Sequence, residues 1–257
     1  MLLKVRDNTY KNSRKEILVC FLIAVFLSSC GLLLKKRTVA NNGVESEEFG
    51  LPLIIYQPSN PTSQKMIVFL SGDGGWLGFN DTLAVEYAKR GYHVIGFNSR
   101  TYFWHQRDPD QTASDFSKMI SKYSEKWKTK RIILSGYSFG ADVVPFIYNR
   151  LPDSLKNHVG KLQLLSPYLS TDFKVLLIDL FSTGGDNRTY KVTEEVKKIK
   201  IPIYCFYGEA ETPKPLAGII MPNFYIKFLS GDHHYLHSYR QIVFSMRDKL
   251  KNKVIIW

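Results

Sequence analysis

At 257 residues and 44% hydrophobic content, the chain can bury one large core, which points to a single folded domain with an N-terminal appendage. Its net charge of +12 comes largely from dispersed lysines, without an arginine-rich or RNA-type aromatic motif, and this argues against nucleic-acid binding. Cys20, Cys30 and Cys205 are the only cysteines, which excludes a disulfide framework and a zinc motif.

The N-terminus is basic at Lys4, Arg6, Lys11, Arg14 and Lys15, then apolar from Ile17 to Ser29, and ends in Leu27-Ser28-Ser29-Cys30. A positive start, an apolar run and small residues before the cut mark residues 1–29 as a secretory signal. The last four residues resemble a bacterial lipobox, in which Cys30 is lipidated and becomes the first mature residue. The competing reading is an uncleaved membrane anchor, because Gly31 to Leu34 extends the apolar run to about 18 residues, the lower limit for a span. Both readings hold the domain at a membrane of the bacterial envelope, and the lipoprotein form faces the periplasm. Residues 1–29 carry five basic and two acidic side chains, so their removal leaves +9. A basic domain tethered in this way is drawn toward anionic lipid, although a solvated lysine-rich surface accounts for the charge equally well.

Residues 30–50 are polar and read as a tether, with the folded domain occupying 51–257. Short β-branched or aromatic runs predict strands at Leu53 to Tyr56, Met66 to Leu70, Tyr92 to Phe97, Arg131 to Leu134, Leu162 to Leu165, Ile203 to Tyr207 and Phe224 to Leu229. Helical spacing lies between many of them. Asn80 is expected to cap a helix carrying Leu83, Ala84, Tyr87 and Ala88, and Asp108-Pro109 opens a second, with Ala113, Phe116, Met119, Ile120 and Tyr123 on one face. A third follows Ser138, and a fourth spans about Leu236 to Leu250. Strands alternating with helices predict an α/β fold, a mostly parallel sheet flanked by helices, with its ligand site at the carboxyl ends of the strands. The stretch from Tyr168 to Thr193 breaks the alternation and is read as a small cap insertion; an ordinary helix plus loop is the alternative.

Gly136-Tyr137-Ser138-Phe139-Gly140 is modest evidence as a pattern, and its context strengthens it. It falls between a predicted strand and a predicted helix, where small flanking residues permit a strained turn that lifts the Ser138 hydroxyl above the sheet edge. Serine needs a base, and the base needs an orienting carboxylate; in the α/β-hydrolase fold these follow in the order serine, acid, histidine. Two later strand ends supply them. Gly208-Glu209-Ala210-Glu211 offers the acid, with Glu211 preferred to Glu209, and Gly231-Asp232-His233-His234 offers the base, with His233 preferred to His234. The oxyanion requires two backbone donors, one from Phe139 and one from the glycine-rich loop after the second predicted strand, at Asp73 or Gly74. That loop lacks the Lys-Ser/Thr of a phosphate-binding P-loop. His93, His105, His158 and His237 lack the strand-end setting and read as structural or surface residues, and Cys205 in its apolar run reads as a buried thiol. No metal or cofactor is expected.

The sequence is similar to the VirJ/AcvB family of bacterial virulence proteins from about Met66 to its C-terminus. The resemblance rests on Phe69-Leu70-Ser71-Gly72-Asp73-Gly74-Gly75-Trp76, on Tyr102-Phe103-Trp104 with Arg107 and Pro109, on Gly136 to Val143 continuing to Tyr148-Asn149-Arg150-Leu151-Pro152, on Cys205-Phe206-Tyr207-Gly208, and on the paired His233-His234. It implies an α/β-hydrolase that acts on aminoacyl-phosphatidylglycerol, notably the lysyl ester, with links to virulence-associated secretion components. It also implies Ser138 as nucleophile and the double histidine as the source of the base. The sequence departs from the family pattern at Asp232, where a glycine is expected, and in a short acidic turn. For such a substrate, Asp73, Glu209 or Asp142 is a candidate partner for the ammonium, and Arg100 and Arg107, in an aromatic loop with Tyr102 and Trp104, are candidates for the lipid phosphate. A non-catalytic envelope adaptor that keeps the hydrolase fold as a binding scaffold is the competing function.

Overall fold

The first two strands, β1 (Val44–Ser46) and β2 (Leu53–Tyr56), pair antiparallel at one edge of an eight-stranded sheet in the computed structural model, which describes residues 43–175, 188–235 and 238–245. Residues 44–50 therefore belong to the fold, not to the tether 30–50 read from their polarity. An edge strand is joined through its backbone and leaves its side chains in solvent, so Val44-Glu45-Ser46 carries no apolar signal. The signal or anchor segment and Cys30 lie outside the described residues, and so does 176–187, the middle of the expected cap. Among the described residues no helix is long and apolar enough to cross a membrane.

The remaining strands of the sheet are β3 (Lys65–Leu70), β4 (His93–Phe97), β5 (Arg131–Tyr137) and β6 (Val159–Leu165), then, beyond the two-residue β7 (Ser170–Thr171) and β8 (Tyr190–Lys191), β9 (Ile203–Gly208) and β10 (Phe224–Leu229). The order is β1-β2-β4-β3-β5-β6-β9-β10, and every pairing from β4 to β10 is parallel. Period-two alternation sorts the side chains onto two faces. On β3, Met66, Val68 and Leu70 join one buried cluster, with Phe116, Ile120, Val144 and Ile147, while Ile67 and Phe69 join another, with Leu83, Tyr87 and Ile242. Burial on both faces is what lets these strands read as continuous apolar runs.

Among the described residues, five helices longer than one turn cover the two faces: α1 (Gly78–Lys89), α2 (Pro109–Lys126), α3 (Phe139–Arg150), α4 (Val192–Lys197) and α5 (Tyr239–Ser245). Asp108 caps α2, its Oδ1 accepting the Gln111 amide at 2.8 Å, as its place before Pro109 predicts. Asn80 is not the cap of α1. The helix starts two residues earlier, and Asn80 reaches back from inside its first turn to accept the Leu77 amide at 3.2 Å. The described part of the last helix lies within the expected span Leu236 to Leu250. His93 is buried, stacked on Trp127 at 4.4 Å between ring centroids, with ring nitrogens 2.9 Å from Gln57 Oε1 and 3.0 Å from the Ser63 carbonyl.

The pairing register brings the candidate residues together. Leu70 of β3 lies opposite Gly136 of β5, Tyr137 opposite Leu165 of β6, and Gly208 of β9 opposite Leu229 of β10. The loops that follow Leu70, Tyr137, Leu165, Gly208 and Leu229 consequently emerge on the same edge of the sheet. That edge is where an open parallel sheet binds its ligands.

Candidate active site

Ser138 sits at φ 51° and ψ −123°, left-handed backbone that a residue with a Cβ adopts only when its surroundings impose it. Two glycines impose it here. A Cβ on Gly136 would lie 2.2 Å from the Gly140 carbonyl oxygen, and one on Gly140 would lie 2.5 Å from the carbonyl oxygen of Ser71. Strand and helix can meet that tightly only without side chains at these positions. The Ser138 amide donates to the Leu165 carbonyl at 2.8 Å, so the turn remains tied to β6 while its hydroxyl faces a cavity of about 580 Å³.

The same cavity receives His233 from the loop after β10 and Glu211 from the turn after β9. His233 Nδ1 lies 2.8 Å from Glu211 Oε1. The other carboxylate oxygen, Oε2, accepts from the Ser166 hydroxyl at 2.7 Å and from the Gly208 amide at 3.0 Å. Ser166 is itself left-handed, at φ 51°, and its Oγ is 2.5 Å from the Tyr235 hydroxyl, which donates to the Phe206 carbonyl at 2.8 Å. The histidine backbone is held as well, because the Tyr137 hydroxyl donates to the His233 carbonyl at 3.1 Å. The two loops approach so closely that a Cβ on Gly208 would lie 2.2 Å from the Asp232 carbonyl oxygen.

The alternatives left open by the sequence are placed differently. Glu209 is exposed and outside the cavity lining. His234 lines the mouth, but its side chain is 68% exposed, against 28% for His233, and its Nδ1 lies 3.5 Å from Asp232 Oδ1. In the glycine-rich loop, the Gly74 amide donates to Asp73 Oδ1 at 2.9 Å, so one of the two candidate oxyanion donors is engaged within the loop. The Phe139 amide opens α3 and has no acceptor within the helix.

Asp142 lines the cavity one helical turn beyond Ser138 and is only 3% exposed. Its Oδ1 accepts the Tyr168 amide at 2.6 Å. Burial raises its carboxyl pKa well above the usual aspartate value, against the opposing pull of the Tyr168 amide and Arg188, and Asp73 adds to the rise. Burial also raises the Tyr137 phenol, and the carboxylates of Glu211, Asp73 and Asp232 push it in the same direction.

Arg100, Tyr102, Trp104 and Arg107 are not brought to the cavity lining. The Tyr102 hydroxyl donates to Asp115 at 2.6 Å, the Arg107 guanidinium lies 4.6 Å from the Tyr102 ring centre, and Trp104 is an exposed side chain beside Arg100. The guanidinium that does line the cavity is Arg188, next to β8, where the short β7–β8 pairing returns the chain to the site. Sequence reading missed Arg188, Ser166, Tyr168 and Tyr235. Ser166 and Tyr168 follow directly after a predicted strand, which was the one local signal available.

Residues 64–254 match the bacterial virulence protein (VirJ) family. No curated protein matches the chain. Among solved structures, it is similar to Est1E from Butyrivibrio proteoclasticus, with a TM-score of 0.57 and 13% identity over 80% of this chain and 96% of that one. It is similar also to MenH from S. aureus, with a TM-score of 0.56 and 15% identity over 75% and 96% of the two chains. An esterase from Pyrococcus furiosus gives a TM-score of 0.54 and 18% identity over 81% and 93%. At these identities the likeness establishes the α/β-hydrolase fold.

Proposed function

The chain belongs to the VirJ family of bacterial virulence proteins, and we propose that it is a membrane-tethered serine esterase in which Ser138, His233 and Glu211 act as nucleophile, base and acid. The observation that carries this reading is the 2.8 Å contact between His233 Nδ1 and Glu211 Oε1, in one cavity with a serine on a strained strand-to-helix turn. With its Nδ1 proton donated to Glu211, the imidazole keeps a lone pair on Nε2. Nε2 takes the Ser138 proton as Oγ bonds to the ester carbonyl carbon. The Phe139 amide and the loop amide of Asp73 stabilise the tetrahedral oxyanion. The bond to the alcohol then breaks, and the alcohol leaves with the proton held by His233. Water, deprotonated by Nε2, attacks the acyl carbon; Ser138 departs, regains its proton, and the carboxylic acid is released.

The substrate is an aminoacyl ester of a membrane phospholipid, with lysyl-phosphatidylglycerol the instance implied by the family resemblance. Charge supports the class. A chain of net +12 presents a cavity lined by Asp73, Asp142, Glu211 and Asp232 against Arg188, and that lining favours a cationic acyl group. A tether through Cys30, or an N-terminal anchor in its place, puts the domain on the periplasmic side at the surface where such a lipid is displayed.

A fluorophosphonate probe applied to the full-length chain in detergent is expected to label the wild type and to miss Ser138→Ala. Hydrolysis of lysyl-phosphatidylglycerol by that variant should fall roughly 10⁴- to 10⁶-fold. An unlabelled wild type would move the reading to an adaptor that uses the hydrolase fold to bind secretion components.

A further inference from the structure

A carboxylate that is only 3% exposed requires compensation, and Asp142 has little. Among the described residues the Tyr168 amide is the one hydrogen-bond donor that reaches it, whereas a carboxylate offers about four acceptor positions. Arg188 attracts it from a distance, but the described ion pair of Arg188 is with Asp172, at 3.5 Å. The other cavity carboxylates are engaged: Glu211 by His233, Ser166 and Gly208, Asp73 by the Gly74 amide, and Asp232 by His234. Position matters as much as charge. Asp142 lies in the first turn of α3, directly after the Ser138 N-cap, and both residues line the same cavity.

Resting on the esterase reading above, we propose that Asp142 is the specificity-determining carboxylate and that it receives the α-ammonium of the acyl group, so the site takes α-aminoacyl esters whatever the amino-acid side chain. In an acyl group bound to Ser138, the α-nitrogen is two bonds from the carbonyl carbon. A lysine ε-ammonium is several bonds farther from the carbonyl carbon. Asp142, which burial biases toward its protonated form, ionises as the cation arrives.

The test compares 1-glyceryl esters of alanine, lysine, propionate and 6-aminohexanoate as substrates of the full-length chain. The alanyl ester should exceed the propionyl ester in kcat/KM by at least about 30-fold, the size expected of a buried charge pair. Lysyl and alanyl esters should lie close together, and 6-aminohexanoyl should behave like propionyl. In the wild type the alanyl-to-propionyl ratio should rise as pH increases above the ordinary aspartate range and Asp142 ionises, as long as the α-amine keeps its proton. Asp142→Asn keeps an acceptor for the Tyr168 amide, and it should bring the ratio close to one and remove its pH dependence. A preference for 6-aminohexanoyl equal to that for alanyl, or an unchanged ratio in the variant, overturns the assignment. Should the variant fail to fold, the wild-type ester series and its pH dependence still decide. Ser138-dependent hydrolysis without α-amino preference overturns only the role of Asp142, whereas no Ser138-dependent hydrolysis of any ester overturns the esterase reading itself.

Discussion

Asp142 costs the fold something at neutral pH, and the sign of that cost follows from its environment. The folded carboxyl holds its proton above the ordinary aspartate pKa, because burial penalises the anion. Between the ordinary value and the raised one, the unfolded chain has released a proton that the folded chain keeps, so stability falls as pH rises. Asparagine has no proton to lose. Denaturant unfolding of Asp142→Asn should therefore show a stability gain over wild type that is absent near pH 4 and grows toward neutrality. A flat difference across that range would mean that the carboxyl is not perturbed in the fold. In the proposed role Asp142 would lower stability while serving specificity, a familiar compromise. Glu211 is handled in another way, with its two oxygens occupied by His233, Ser166 and the Gly208 amide.

At the scale of elements, the site depends on how closely loops from separate strands can approach. Gly208 ends β9 where the loop after β10 crosses it, and a Cβ there would meet backbone, which cannot swing aside as a flexible side chain would. Gly208→Ala is expected to destabilise by about 1–3 kcal/mol, the usual cost of overpacking. It should also lengthen the His233–Glu211 contact. Urea unfolding gives the first quantity and a crystal structure of the variant the second; a neutral substitution would show that the two loops move independently. The elbow follows the same logic on the other side of the cavity, where Gly136 and Gly140 let β5 run into α3. Both glycines are visible in the sequence as parts of a motif. Gly208 is visible only as a turn, and its close approach to Asp232 appears once β9 and β10 are paired.

For the whole molecule, charge is divided between surface and cavity. Thirty-five basic and 23 acidic side chains make the chain basic, yet four carboxylates and one guanidinium are among the groups lining the site. Under the proposed esterase reading, a basic chain would be drawn to anionic lipid while an acidic cavity would favour a cationic acyl group. The proposed tether has its own test. If Cys30 is lipidated, intact-mass measurement of membrane-extracted protein should show an acylated chain that begins at residue 30, and Cys30→Ala should abolish both the cleavage and the added mass. An unprocessed N-terminus in the wild type would favour the anchor form.

The sequence by itself determined the class of fold, the alternation of strands and helices, the placing of Ser138 on a strand-to-helix turn and the chain order of Ser138, the candidate glutamates and the candidate histidines. Each of these is written locally, in a period of two or near four, in glycines beside a serine, or in an Asp-Pro helix start. Tertiary structure decided which glutamate meets which histidine, since Glu211 is selected by Ser166 at the end of another strand and Glu209 turns to solvent. It also decided that β1 joins the sheet, because edge pairing uses backbone groups common to every residue. Above all it decided the charge of the cavity, bringing in Arg188 while leaving Arg100 and Arg107 outside the lining. A side chain's charge can be read from sequence, but the cavity it faces is set by strand register and loop return, which join residues distant along the chain.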